Sequence, residues 1–100
     1  MYKIDKLLGQ IVTIKTVSGM EIIAQLISND DTNNTICLDH PKLVVVTNEQ
    51  IAVIPYTFTS KSATIFIDKS HVLSITESLP SSADDYNTVV EEDSKELADK

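Results

Sequence analysis

The run Val12-Thr13-Ile14-Lys15-Thr16-Val17, the pair Ser18-Gly19, and the run Met20-Glu21-Ile22-Ile23-Ala24-Gln25-Leu26-Ile27 decide how this chain folds. Each run alternates apolar and polar residues with a period of two, and a glycine-bearing turn separates them, which is the signature of a β-hairpin. Val12, Ile14, Ile22, Ala24 and Leu26 fall on one face, and Thr13, Lys15, Glu21 and Gln25 on the other, as a sheet with one buried face requires. Gly19 stands where a short hairpin loop needs a residue with positive φ. The rest of the chain reads as strands added to this pair.

Upstream, Ile4, Leu7 and Leu8 have helical spacing and Gly9 follows them, so Met1–Gln10 reads as one short amphipathic helix capping the sheet. Downstream, Ser28-Asn29-Asp30-Asp31-Thr32-Asn33-Asn34 is an unbroken run of turn formers and reads as a loop. Its spacing lacks the glycine and the terminal glutamate of a calcium loop. Strand alternation resumes at Thr35–Asp39 and again at Leu43–Val46, with Pro41 marking a bend or an edge between them. Thr47-Asn48-Glu49-Gln50 reads as a turn into an extended Ile51–Phe58, and these flanking segments pair as a long hairpin. Their apolar residues fall on both faces, so a covering surface is expected, with a neighbouring subunit the economical candidate. Ser60–Ala63 links to Thr64–Ile67, Asp68–Ser70 turns, and His71–Ile75 is the last strand.

Beyond Leu79-Pro80 the composition changes. Between Glu77 and Lys100 eight acids face two lysines, a net −6 of the chain's −7. Ser81 or Ser82 followed by Asp84 and Asp85 resembles a helix N-terminus, with the acids well placed against the helix dipole. Tyr86, Val89, Val90 and Leu97 can share one side of a marginal helix that frays into a disordered end. The organisation expected is therefore a β domain over residues 1–76 and an acidic extension over 77–100.

One hundred residues make one small domain, whose modest core favours oligomerisation. No apolar run approaches the ~20 residues that span a bilayer. With one cysteine, Cys37, and no signal-peptide pattern, the chain reads as a soluble, cytoplasmic protein. Arginine is absent altogether. That weighs against tight, sequence-specific nucleic-acid binding, because arginine supplies the bidentate contacts to phosphate and guanine.

The order of these elements resembles the Sm-like fold, the family of Sm and LSm proteins and Hfq-type chaperones. The residues that carry the resemblance are the hairpin turning at Ser18-Gly19, the loop at Asn29–Asn34, the strand ending Ile36-Cys37-Leu38-Asp39, and Ile65-Phe66-Ile67-Asp68-Lys69-Ser70-His71-Val72-Leu73-Ser74-Ile75. It spans residues 1–76. Gly19 matches the glycine ending the family's first turn, Ala24 takes the place of a second small residue where a strand bends, Leu26 matches the following leucine, and Asp31 the loop aspartate. The fold implied is mainly β: a short N-terminal helix, then five or six strands of strongly bent antiparallel sheet forming a small barrel. The resemblance also implies a cyclic homo-oligomer of about five to seven subunits, joined through Ile65, Ile67, Val72 and Ile75.

Departures fall where the family's RNA chemistry lies. The positions of its stacking side chain and base-reading asparagine hold Asn33 and Thr35, and its arginine-glycine pair is replaced by Asp68-Lys69. Asp31, Asn33, Asn34 and Lys69 are the residues left to form an RNA site. No catalytic constellation is visible: no serine lies in a nucleophile elbow, two glycines cannot make a phosphate loop, and His40 and His71 have no zinc spacing with Cys37. An enzyme, a metal and a cofactor are not expected. Two functions remain: a ring with a degenerate RNA site, and a ring serving as an assembly scaffold without nucleic acid, its acidic tails offered to basic protein partners.

Overall fold

The computed structural model describes residues 4–56 and 63–98, the last six as backbone alone. The strands are β1 (Ile11–Thr16), β2 (Glu21–Asp30), β3 (Thr35–Thr47), β4 (Gln50–Pro55), β5 (Thr64–Asp68) and β6 (Val72–Glu77), followed by the helix α1 (Pro80–Ala98). All strand pairings are antiparallel, in the order β4-β3-β2-β1-β6, with β5 on the same side of β3 as β4. The molecule is mainly β, as expected. Val12, Ile14, Ile22, Ala24 and Leu26 are all fully buried, and Ile36, Leu38 and Ile75 join them in one core. Truncating Leu26 to alanine in such a site costs about 2–5 kcal/mol.

The strands are long but bent. Between Gln25, opposite Asp39, and Ile23, opposite Lys42, the single residue Ala24 faces two residues of β3, His40 and Pro41. His40 has φ 49, so this is a bulge with its first residue in the left-handed region. The bend expected at Pro41 and the small residue expected at Ala24 are thus two sides of one feature. It lets β3 pair with β5 through Thr35–Asp39 and with β4 through Lys42–Thr47. A second irregularity lies between Leu26 and Ser28.

Three expectations change. The N-terminal helix is a four-residue 3-10 turn at Ile4–Leu7, and Leu8 is exposed. An isolated helix of ten residues lacks the length to hold itself. The chain instead turns at Gly9 (φ 82) and rejoins β2, with the Gly9 amide donating to the Leu26 carbonyl at 2.7 Å and the Leu26 amide to the Gln10 carbonyl at 3.0 Å. The loop expected from Ser28 is shorter, because Ser28, Asn29 and Asp30 pair with Cys37, Ile36 and Thr35, and only Asp31–Asn34 turns. A cross-strand partner overrides weak strand propensity there. The parts of the sequence reading that fall on residues 1–3 and 57–62, and on the Leu97 side chain, lie outside what the structure describes.

The third change concerns the helix. Tyr86 is 3% exposed, and its hydroxyl sits 2.8 Å from the Asp39 carbonyl and 2.9 Å from that of His40. The helix is therefore pinned to the sheet at the β3 bulge. The Ser78 amide, just before it, donates to the Ile11 carbonyl at 3.0 Å, and the Ser78 and Thr13 hydroxyls lie 2.8 Å apart. These contacts fall on the polar face of the first hairpin, where Ile23 is also buried. The chain's own extension meets that face at Thr13, while Lys15 on the same face stays exposed. Val46 and Ile51, by contrast, stay 68% and 75% exposed at the tip of the β3–β4 hairpin. Among the described residues no helix is long and apolar enough to cross a membrane.

Candidate nucleic-acid interface

Two turns meet at one end of the sheet. One is Asp31–Asn34, between β2 and β3, and the other is the 3-10 turn Lys69–His71, between β5 and β6. They converge because β3 pairs with β5 from Thr35 opposite Asp68 onward, which sets the two turns side by side. The Lys69 amide donates to the Asn34 carbonyl at 2.8 Å, and the Asn34 side-chain amide donates to Asp68 Oδ1 at 3.3 Å. Asp68 caps the 3-10 turn by accepting from the Ser70 amide at 2.8 Å. Asn34 has φ 55, a conformation that asparagine tolerates better than most residues.

Of the four residues expected at an RNA site, the structure brings Asp31, Asn34 and Lys69 together. The Lys69 ammonium lies 2.6 Å from Asp31 Oδ1. Asn33 turns away: its backbone amide donates to Asp30 Oδ1 at 3.0 Å and its side-chain amide to Asp30 Oδ2 at 2.7 Å. It closes the loop rather than reaching outward. Sequence reasoning did not single out Asn29, whose side-chain amide donates to Asp5 Oδ1 at 2.9 Å and to Asp31 Oδ1 at 3.4 Å. No alternation runs through Ser28–Asp31 to signal it, and only the pairing of Asn29 with Ile36 places it on the strand end.

The electrostatics follow from this wiring. The Lys69 hydrogen bond and charge hold the Asp31 carboxyl below the usual range, the Asn33 side chain and amide do the same for Asp30, and the Ser70 amide for Asp68. All three are anions at neutral pH, and Lys69 is the cation bound among them. An incoming phosphate would have to displace Asp31 from Lys69 in a field that is already negative. Neither turn carries Phe, Tyr or Trp, and the one ring among their residues on which a base can stack is the exposed His71 imidazole. Among the described residues no group of three or more His, Cys, Asp or Glu side chains converges as a metal site would need.

Beside the turns lies an apolar cavity of about 340 Å³ bordered by Ile4, Ile36, Lys69, Val72, Leu73 and Ile75. The residues expected at a subunit junction are placed mostly inward. Ile75 belongs to the core, and Ile65, Ile67 and Val72 pack partly buried against it. On the same strands Phe66 and Leu73 are the exposed apolar side chains, at 72% and 70%.

No family model and no curated protein matches the chain. Solved structures do. A heptameric archaeal Sm protein is similar over 76% of this chain and 96% of its own, with a TM-score of 0.53 and 17% identity. The Pyrococcus abyssi Sm protein solved with a uridine heptamer is similar over 75% and 92%, with a TM-score of 0.54 and 20% identity. A chain of the NatC complex solved bound to CoA is similar over 80% and 90%, with a TM-score of 0.52 and 12% identity. The chain has an Sm-like fold, at an identity that marks it as divergent.

Proposed function

We propose that this Sm-like chain is a ring-forming subunit whose main role is assembly, and that RNA meets it only weakly. The observation that carries the reading is two of the sheet's edges: among the described residues β5 ladders only with β3 and β6 only with β1, and each exposes a large apolar side chain. A lone subunit would leave these edges open to aggregation. Head-to-tail pairing of β5 with the next copy's β6 closes them in a ring of about five to seven subunits, and one structural neighbour is described as heptameric. Residues 1–76 would build the ring, and residues 77–100 would present the exposed acids Asp84, Asp85, Glu91 and Glu92 to basic protein partners.

RNA association is the second reading, supported by the neighbour solved with a uridine heptamer and by the place of Asp31, Asn34 and Lys69 at the converging turns. The Lys69–Asp31 pair and the surrounding carboxylates favour the scaffold. Multi-angle light scattering of the full chain at micromolar concentration tests the assembly. A mass of five to seven subunits is expected, and a monomer mass refutes the ring.

A further inference from the structure

We propose that Phe66 of one copy fills the cavity between Ile4 and Leu73 of the next, so that this pocket is complete only in the assembly. The inference rests on the ring reading and adds to it the anchor and its receptor. The receptor is apolar along Ile4, Ile36, Val72, Leu73 and Ile75, and it runs along β6, which among the described residues ladders only with β1. Its volume is about 340 Å³. A dry apolar cavity of ~150 Å³ already holds a benzene ring, so a phenyl group enters with room for a neighbouring aliphatic side chain.

Phe66 does not fill this pocket in its own chain. Phe66 pairs with Cys37, while Ile36, one residue away and therefore on the opposite face of β3, lines the cavity. A partner's strand can fill it, because among the described residues β5 and β6, like β4, are laddered on one side only, and β5 and β6 each carry one large exposed apolar residue. The central residues of both edges, Ile65–Ile67 and Leu73–Thr76, carry no charge, so pairing them desolvates none. Aromatic residues seated in a closed pocket at the centre of an interface are the usual energetic anchors.

The test compares the full chain with Phe66→Ala by sedimentation over a dilution series, with circular dichroism to follow the sheet. Phe66 is exposed in the single subunit, so the variant keeps its β signature. Its ring should dissociate at a concentration at least about tenfold higher than that of the parent, the loss expected of an interface anchor. As an independent readout, the double variant Phe66→Cys with Leu73→Cys is oxidised and run under denaturing, non-reducing conditions, with each single variant as a control for Cys37. A ladder of covalent multimers confined to the double variant is expected. If the parent forms a ring, Phe66→Ala dissociates at the same concentration and no ladder appears, the Phe66 anchor is overturned and the ring stands. A monomeric parent overturns both. Should Phe66→Ala lose its sheet, the ladder alone decides.

Discussion

Tyr86 joins the helix to the sheet through its ring, which is buried, and its hydroxyl, which lies against the carbonyls of Asp39 and His40. Phenylalanine keeps the first and removes the second, leaving both carbonyls in a poorly solvated place, so Tyr86→Phe should cost about 1–2 kcal/mol in urea unfolding. Tyr86→Ala loses the ring as well and should cost about 3–5 kcal/mol. Burial pushes the Tyr86 phenol up from its usual value. A group whose pKa is raised on folding stabilises fully below its unfolded value and less above it, so the parent should lose stability as pH rises past ~10, and Tyr86→Phe should lose this component of the decline. The carboxylates of the converging turns behave oppositely. With Asp30, Asp31 and Asp68 held low, their contribution is intact above ~4 and fades as pH falls below it. Carbon-detected titration of Asp31 should give a midpoint below the ordinary aspartate value in the parent and a normal one in Lys69→Ala; equal midpoints would mean that the 2.6 Å pair does not persist in solution.

The β3–β4 hairpin shows what a pattern can and cannot reveal. Thr47 pairs with Gln50, so Asn48-Glu49 is a two-residue loop, and φ is positive at both positions (47 and 66). Such a turn favours asparagine and then glycine. Glutamate in the second place pays for the left-handed backbone with about 1 kcal/mol, and Glu49→Gly should recover a large part of that as a higher thermal midpoint; an unchanged or lower midpoint would argue against the turn conformation. The turn itself was legible, as was the first hairpin, because alternation and turn formers are local. So was the bend near Pro41. What the residues could not reveal was that the bend is a bulge made by His40 and Pro41 against Ala24, since a two-against-one register exists only between strands. The same limit hid the short loop: Ser28–Asp30 look like turn formers until Thr35–Cys37 pair with them. At the candidate site, Asp31, Asn34 and Lys69 were legible by position, but the partners that neutralise Lys69 and turn Asn33 inward came from geometry. The helix was legible as a helix and not as a clamp, because Tyr86 finds its partners 46 and 47 residues away.

At the scale of the whole molecule the question is how much nucleic acid this surface tolerates, and the docked helix changes how to ask it. Removing the entire extension from Ser81 would delete Tyr86 and uncover the β3 bulge, so a change in binding could not be separated from a change in fold. Removing residues 91–100 instead takes away five acids and two lysines, a net −3, and leaves Tyr86 in place. The parent should bind uridine-rich RNA weakly, since Lys69 is already paired and neither turn carries Phe, Tyr or Trp for stacking. With only about two phosphate contacts made, the slope of log K against log salt should be shallower than about −2. The truncated chain should bind more tightly at 50 mM salt, and the gain should shrink towards 200 mM as screening shortens to below ~10 Å. The two readings part at one measurement. If the full chain held a short uridine tract at nanomolar affinity in physiological salt, and Lys69→Ala abolished that binding, Lys69 would have to leave Asp31 for phosphate. The scaffold reading would then give way to an RNA pocket rebuilt from Asn34 and Lys69. If instead the parent binds at micromolar strength or weaker, and truncation helps while Lys69→Ala changes little, the acidic turns and helix act as a barrier to RNA and the ring serves protein assembly.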